Sequence, residues 1–313
     1  MVRVHVEPWP ASMTGPYLLH DEDVEFGHSP VAEDGGDLRS HLSPAGVDGR
    51  VRIAFVDGVR RAEARLYLDD GERMLHGIAG AHGHGAVLCE DAARPVFEDC
   101  RAERIIVWGG GARTALPEQP GNWRWSVRSV PDEQPDAPLQ GLQRFMREAE
   151  GELAEQLATD GWLTIVDGPL NFVRSRERPV IGYVKTHHRA YLEPEQHARV
   201  PQLGVRERTS LFTKRDDVYS CYVRLAEPPS YAGPWSGIAR LEIPSSVGLT
   251  EAAATADSAT AHLCRYAGVP HKDPRAPQNL QPVSRLESYL RRLLGDDRLA
   301  VRAARAAALA TRS

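Results

Sequence analysis

Two short runs constrain this chain more than anything else in it. In "RIAFVDG" (52–58) and "WLTIVDG" (162–168), apolar residues lead directly to an aspartate and a glycine, Asp57–Gly58 and Asp167–Gly168. A nearly continuous apolar run of this length reads as a strand buried on both faces, which requires a sheet covered by helices. A carboxylate ending such a strand is costly to bury unless something is paired with it. Ligands gather at strand ends in open sheets, so two such strands can deliver two carboxylates to one place. A divalent cation that coordinates both relieves their repulsion. Asp-Gly is also a common turn dipeptide, and either copy alone reads as a turn that ends a strand.

The rest of the pattern alternates strands and helices. Residues 1–50 are rich in Pro, Gly, Asp and His and read as an irregular N-terminal arm with one short strand at "VRVHVE". From residue 51, "RIAFVDG", "AEARLYL" and "RMLHGIAGAHG", with a "DDGE" turn at 69–72, predict an antiparallel meander. "RIIVWGGG" (104–111) and "NWRWSVRSV" (122–130) are further short strands, and "PDEQPDAP" is a linker. Leu142, Phe145, Met146, Ala149, Leu153 and Leu157 then fall at helical spacing, and Gly161 closes that helix. "RPVIGYVKTHH", "DVYSCYVRLA" and "SGIARLEIP" are strands. Helices cover 250–267 and 283–310, the latter broken near "LGDD". The fold class is α/β, a mixed sheet flanked by helices over residues 51–313 with a helical C-terminal region.

Composition excludes some functions. A net charge of −5 and a pI of about 6.2 argue against a protein that coats nucleic acid by bulk charge, but not against a nuclease. No apolar run approaches the roughly 20 residues that cross a bilayer, and the N-terminus lacks a secretory apolar segment. Four scattered cysteines without a CxxC pair suit neither a disulfide framework nor a zinc ribbon, and point to a reducing cytoplasm. "HGHG" (82–85) reads as a turn, and "WGGGAR" lacks the spacing of a phosphate loop. Ser210 and Ser220 lack the glycine-flanked elbow of a serine hydrolase. Trp123 and Trp125 belong to a half-buried strand rather than to a base-stacking platform.

The order "IAFVDGVRR", "IVDGPLNF", "IGYVKTHH", "RTSLF", "YSCYVRL" and "IARLEIP" resembles the NurA family of nucleases over most of the chain from about residue 50. The most specific parts are Asp-Gly-Pro-Leu at 167–170, the strand ending at Lys185, and Arg-x-Glu-x-Pro at 240–244. The resemblance implies an RNase H-like core and cleavage of DNA with Mn2+ or Mg2+. It also implies a homodimer that docks on HerA, a hexameric DNA-translocating ATPase.

The same resemblance places the family's first acid on Asp57, its second on Asp167, and a glutamate on the intervening helix, best matched by Glu150 with Glu148 as the alternative. Lys185 would orient water or neutralise a phosphate. The family's terminal "YP..L..AH" is missing, which leaves His271, Asp273 or Asn279 for a fourth ligand. Asn279 is chosen because an amide oxygen can ligate a hard cation. With oxygen ligands, two magnesium or manganese ions about 3.5–4 Å apart are expected rather than zinc. Arg60, Arg61, Arg206 and Arg208 are candidates for contacts to the DNA backbone. The expected function is single-strand endonuclease or 5′–3′ exonuclease activity in end resection, break repair or anti-phage defence. The alternatives are an inactive NurA-like scaffold for the motor and a hydrolase of small phosphoesters.

Overall fold

The computed structural model describes residues 28–44, 51–69, 73–90, 96–173, 180–187, 189–215 and 217–311. The strand expected at "VRVHVE" and most of the "DDGE" turn lie outside these residues. The chain forms two compact units: residues 1–56, 87–96 and 154–285 make the first, and residues 57–86, 97–153 and 286–313 the second.

The first unit contains β1 (Ser40–Leu42), the opening residues of β2 (Ile53–Asp69), β6 (Leu163–Asp167), β7 (Val180–Val184), β8 (Glu207–Thr209), β9 (Phe212–Arg215), β10 (Val218–Arg224) and β11 (Ile238–Pro244). Its sheet runs β1-β8-β10-β11-β7-β6-β2, with β9 also on β10. β2, β6 and β7 are mutually parallel, whereas β11 pairs antiparallel with both β7 and β10. The sheet is mixed, as expected. All seven residues of β11 are buried, which explains its unbroken reading as a strand. Leu38, Leu192, Val200, Leu203, Phe212, Tyr222 and Ile238 form one apolar cluster. The helix α3 (Leu249–Tyr266) buries an Ala/Thr-rich stripe. The described part of the N-terminal arm is ordered by pairing: Ser40–Leu42 lies antiparallel to Glu207–Thr209.

The second unit carries the rest of β2, then β3 (Met74–Cys89), β4 (Val96–Trp108) and β5 (Ser126–Ser129), neighbours in that order. Strand alternation sorts its core into two faces. Leu66, Ala79, Ile106, Trp108 and Trp125 pack against Ala303, Ala304 and Ala307 of α5 (Asp297–Ala310). Ile78, Ile105 and Val107 pack against Ala137 and Leu142 of α1 (Ala137–Thr159). The helix α4 (Gln281–Leu293) precedes α5, whose N-terminus is capped by Asp296 accepting from the Leu299 amide at 2.9 Å. Among the described residues no helix is long and apolar enough to cross a membrane.

Two expectations are corrected. Asp57–Gly58 does not end its strand, because "RIAFVDG" and "AEARLYL" are one 17-residue strand. "HGHG" is not a turn but lies inside β3. Its glycines serve close packing: a Cβ on Gly85 would lie 2.5 Å from Cys100 Sγ, and one on Gly83 would lie 3.1 Å from the Arg101 carbonyl.

Candidate metal and phosphate site

In the parallel β2–β6 pair, Val56 is the register partner of Val166. Asp57 follows the first and Asp167 the second. Both carboxylates are buried, 4% and 6% exposed.

In the first unit, Asp167 ends β6, and the chain turns at once. Gly168 adopts φ 129°, a conformation that glycine enters at little cost, and donates its N–H to the Tyr183 carbonyl at 2.9 Å. The turn passes so close to β7 that a Cβ on Gly182 would meet the Gly168 carbonyl at 2.9 Å. Glu242 of β11 fastens the same turn by accepting the Leu170 N–H at 3.0 Å. This fully buried glutamate also accepts from Lys214 at 2.7 Å and Arg240 at 2.6 Å. Burial works to raise its pKa, but the Arg240 and Lys214 charges outweigh it and hold the carboxyl at about 2. The Arg-x-Glu-x-Pro motif is therefore the clasp on the Asp-Gly-Pro-Leu turn.

Lys185, one residue beyond β7, donates to Asp167 Oδ2 at 2.5 Å and to Asn279 Oδ1 at 2.9 Å. Asn279 is held in turn: its Nδ2 donates to Asp273 Oδ2 at 2.6 Å, and Ser284 Oγ donates to the same oxygen at 2.9 Å. Burial opposes ionisation of Asp273, but the Asn279 hydrogen bond and its other donors keep its pKa below the ordinary value. Tyr183 ties β7 to this loop by donating to the Gln278 carbonyl at 2.5 Å. Burial, then the Asp167 charge, pushes the Tyr183 hydroxyl far above its usual pKa. Of the three candidates for a fourth ligand, Asn279 and Asp273 thus belong to one network with Lys185 and Asp167, whereas His271 is exposed.

In the second unit, the glutamates of α1 are now distinguishable. Glu150 is 1% exposed, within the stripe that buries Leu142, Met146, Leu153 and Leu157. Glu148 lies on the surface side and meets Arg144 at 3.7 Å. Glu150 Oε2 accepts from Arg147 at 2.8 Å, and Oε1 lies 2.4 Å from where a Cβ on Gly58 would stand. Gly58 therefore leaves room for the close approach of a carboxylate and does not make a turn. The Asp57 carboxylate has a neighbour in Glu287 of α4, with oxygens within 4.8 Å of each other. Sequence reading missed Glu287, since nothing distinguishes it from an ordinary helical glutamate.

In the second unit Asp57, Glu150 and Glu287 offer oxygen donors alone, the chemistry of a hard divalent cation, and Asp167 of the first unit is a donor of the same kind. A buried carboxylate, Asp57, and a partly buried one, Glu287, this close together repel, and such a cation relieves that repulsion. The donor set fits magnesium or manganese.

Fold and residues define an α/β protein with buried carboxylates at adjoining parallel strands. The NurA domain profile matches residues 45–286, most of the chain, and the chain belongs to the NurA family, a family of nucleases. Among solved structures, the NurA nuclease from Sulfolobus solfataricus aligns with a TM-score of 0.46 and 11% identity, covering 82% of this chain and 86% of that chain. No curated protein matches this chain.

Proposed function

We propose that the protein is a metal-dependent deoxyribonuclease with an RNase H-like catalytic domain over residues 51–313 and residues 1–50 as an arm. One observation carries this reading: Val56 and Val166 are register partners, and each is followed by a buried aspartate. Asp57, Glu150 and Asp167, with Glu287 as a further carboxylate, would hold Mn2+ or Mg2+, as one ion or two. Such ions, when bound, supply Lewis acidity to a phosphodiester and to the water that attacks it. Lys185 contributes a fixed positive charge beside Asp167, suited to a phosphate oxygen or to orienting that water. Asn279, whose amide oxygen has the chemistry of a further hard-cation ligand, holds Lys185 in place.

Family membership supports the finer reading: cleavage of DNA single strands or ends, as a homodimer working with a HerA-like hexameric ATPase in the cytoplasm, in end resection, break repair or defence. Metal removal tests the core of it. Cleavage of labelled DNA should vanish with EDTA and return with manganese, and Gly58→Ala, which displaces Glu150, should lower the manganese rate by about tenfold or more. Undiminished cleavage in EDTA would refute the proposal. A protein inert toward DNA under all metals but bound to the ATPase would favour the scaffold reading instead.

A further inference from the structure

Four arginines were candidates for the DNA backbone, and the structure separates them by what already occupies them. Arg61 donates to the Leu294 and Gly295 carbonyls at 3.0 and 2.7 Å and pairs with Glu63 at 2.7 Å. Arg206 donates to the Ser43 carbonyl at 2.8 Å. Arg208 is buried between Glu33 and Asp257, at 2.8 and 2.7 Å. These three hold the fold together. Arg60 differs: among the described residues its hydrogen-bond partner is the neutral amide oxygen of Gln143, and it forms no ion pair.

Arg60 is half-buried on β2, three residues beyond Asp57 and on the same side of the strand as Gly58. Gln143, Arg147 and Glu150 follow one another at i, i+4 and i+7 along one face of α1. Gln143 meets Arg60 and Glu150 meets Gly58, so Arg147 lies between these two contacts on the helix. Burial, then the like charge of Arg147, draws the Arg60 guanidinium below its ordinary pKa. Arg147 is paired with Glu150, whereas Arg60 has no paired carboxylate among the described residues. Gly58, Arg60, Gln143 and Arg147 are all partly open to solvent, whereas Asp57 and Val59 are buried. An arginine fork with free N–H groups is suited to a tetrahedral oxyanion.

We propose that Arg60 binds a backbone phosphate of the DNA strand on the Gly58 side of β2, along the face of α1 that carries Arg147 and Glu150, an inference that rests on the nuclease function proposed above. The contact is the same before and during the reaction, so its loss should weaken binding rather than slow turnover.

The test compares wild type with Arg60→Gln and Arg60→Lys. Cleavage kinetics are measured in manganese. Binding of a fluorescein-labelled oligodeoxynucleotide is measured by anisotropy in calcium across a salt series. For Arg60→Gln the expected result is a KM raised about tenfold with kcat within about twofold. The slope of log affinity against log salt should shrink by about 0.7, the contribution of one single-strand phosphate. The thermal midpoint should hold or rise, because a repelled charge is removed. Arg60→Lys should restore the salt slope and part of the KM. Unchanged KM and salt slope in an active Arg60→Gln enzyme overturn this contact and leave the nuclease reading standing. A lowered thermal midpoint with an unchanged slope assigns Arg60 a structural role instead. Wild type that neither binds nor cleaves DNA overturns both.

Discussion

Replacing Asp57 with asparagine is expected to lower manganese-dependent DNA cleavage by more than about a hundredfold, since loss of even outer-shell partners of metal ligands costs 10–100-fold. The substitution keeps the size of the side chain and removes its charge. Asp57 is buried inside β2, near its start, and its carboxylate lies within 4.8 Å of Glu287. Removing one of two neighbouring negative charges relieves repulsion, so the variant should melt at the wild-type temperature or above it. Loss of activity with gained stability is the mark of a carboxylate kept for chemistry. Steady-state cleavage and a thermal melt on the same preparation measure both quantities. Wild-type turnover by Asp57→Asn would remove Asp57 from the metal site.

Replacing Glu242 has the opposite character. Glu242→Gln should destabilise the fold by about 3–5 kcal/mol, the usual result of breaking a buried charge cluster from one side. Arg240 and Lys214 would lose the carboxylate between them, and the Leu170 amide would lose its ionised acceptor. The pH dependence identifies the cause. The folded pKa of Glu242 is depressed from 4.5 to about 2. A depressed carboxyl contributes stability that is present above its unfolded pKa and is lost as pH falls through its folded pKa. The contribution, roughly 3 kcal/mol, should therefore decline between pH 4.5 and 2. Glu33, Asp34 and Asp273 are also held below their ordinary values, so wild type loses further stability in acid from them. The difference between wild-type and Glu242→Gln denaturation curves isolates the Glu242 share. A constant difference from pH 7 down to pH 2 would contradict the assignment.

Some of this was legible in the sequence because burial writes itself as composition. "RIAFV", "WLTIV" and "IARLEIP" are strands buried on both faces, and their apolar runs say so. The long helix was legible from its period and from Gly161, which takes φ 85° just after the helix. What misled was glycine in a second role. Gly58, Gly83 and Gly85 looked like turn residues, yet they sit inside strands where a carboxylate or a neighbouring strand comes too close for a Cβ. Such approaches are made by residues remote in sequence, and no local pattern announces them. The same holds for Glu150 against Glu148, separated by which helix face is buried, and for Glu242, whose cations come from β9 and β11. Glu287 has no local signature at all: its interest comes only from the neighbour that tertiary packing gives it.

The account depends on carboxylates from two parallel strands sharing catalytic ions. The direct measurement is an anomalous difference map from crystals of the protein soaked in manganese. The account predicts a strong peak ligated by both Asp57 and Asp167. A peak bound only by other residues, from protein that cleaves DNA with manganese, would contradict it.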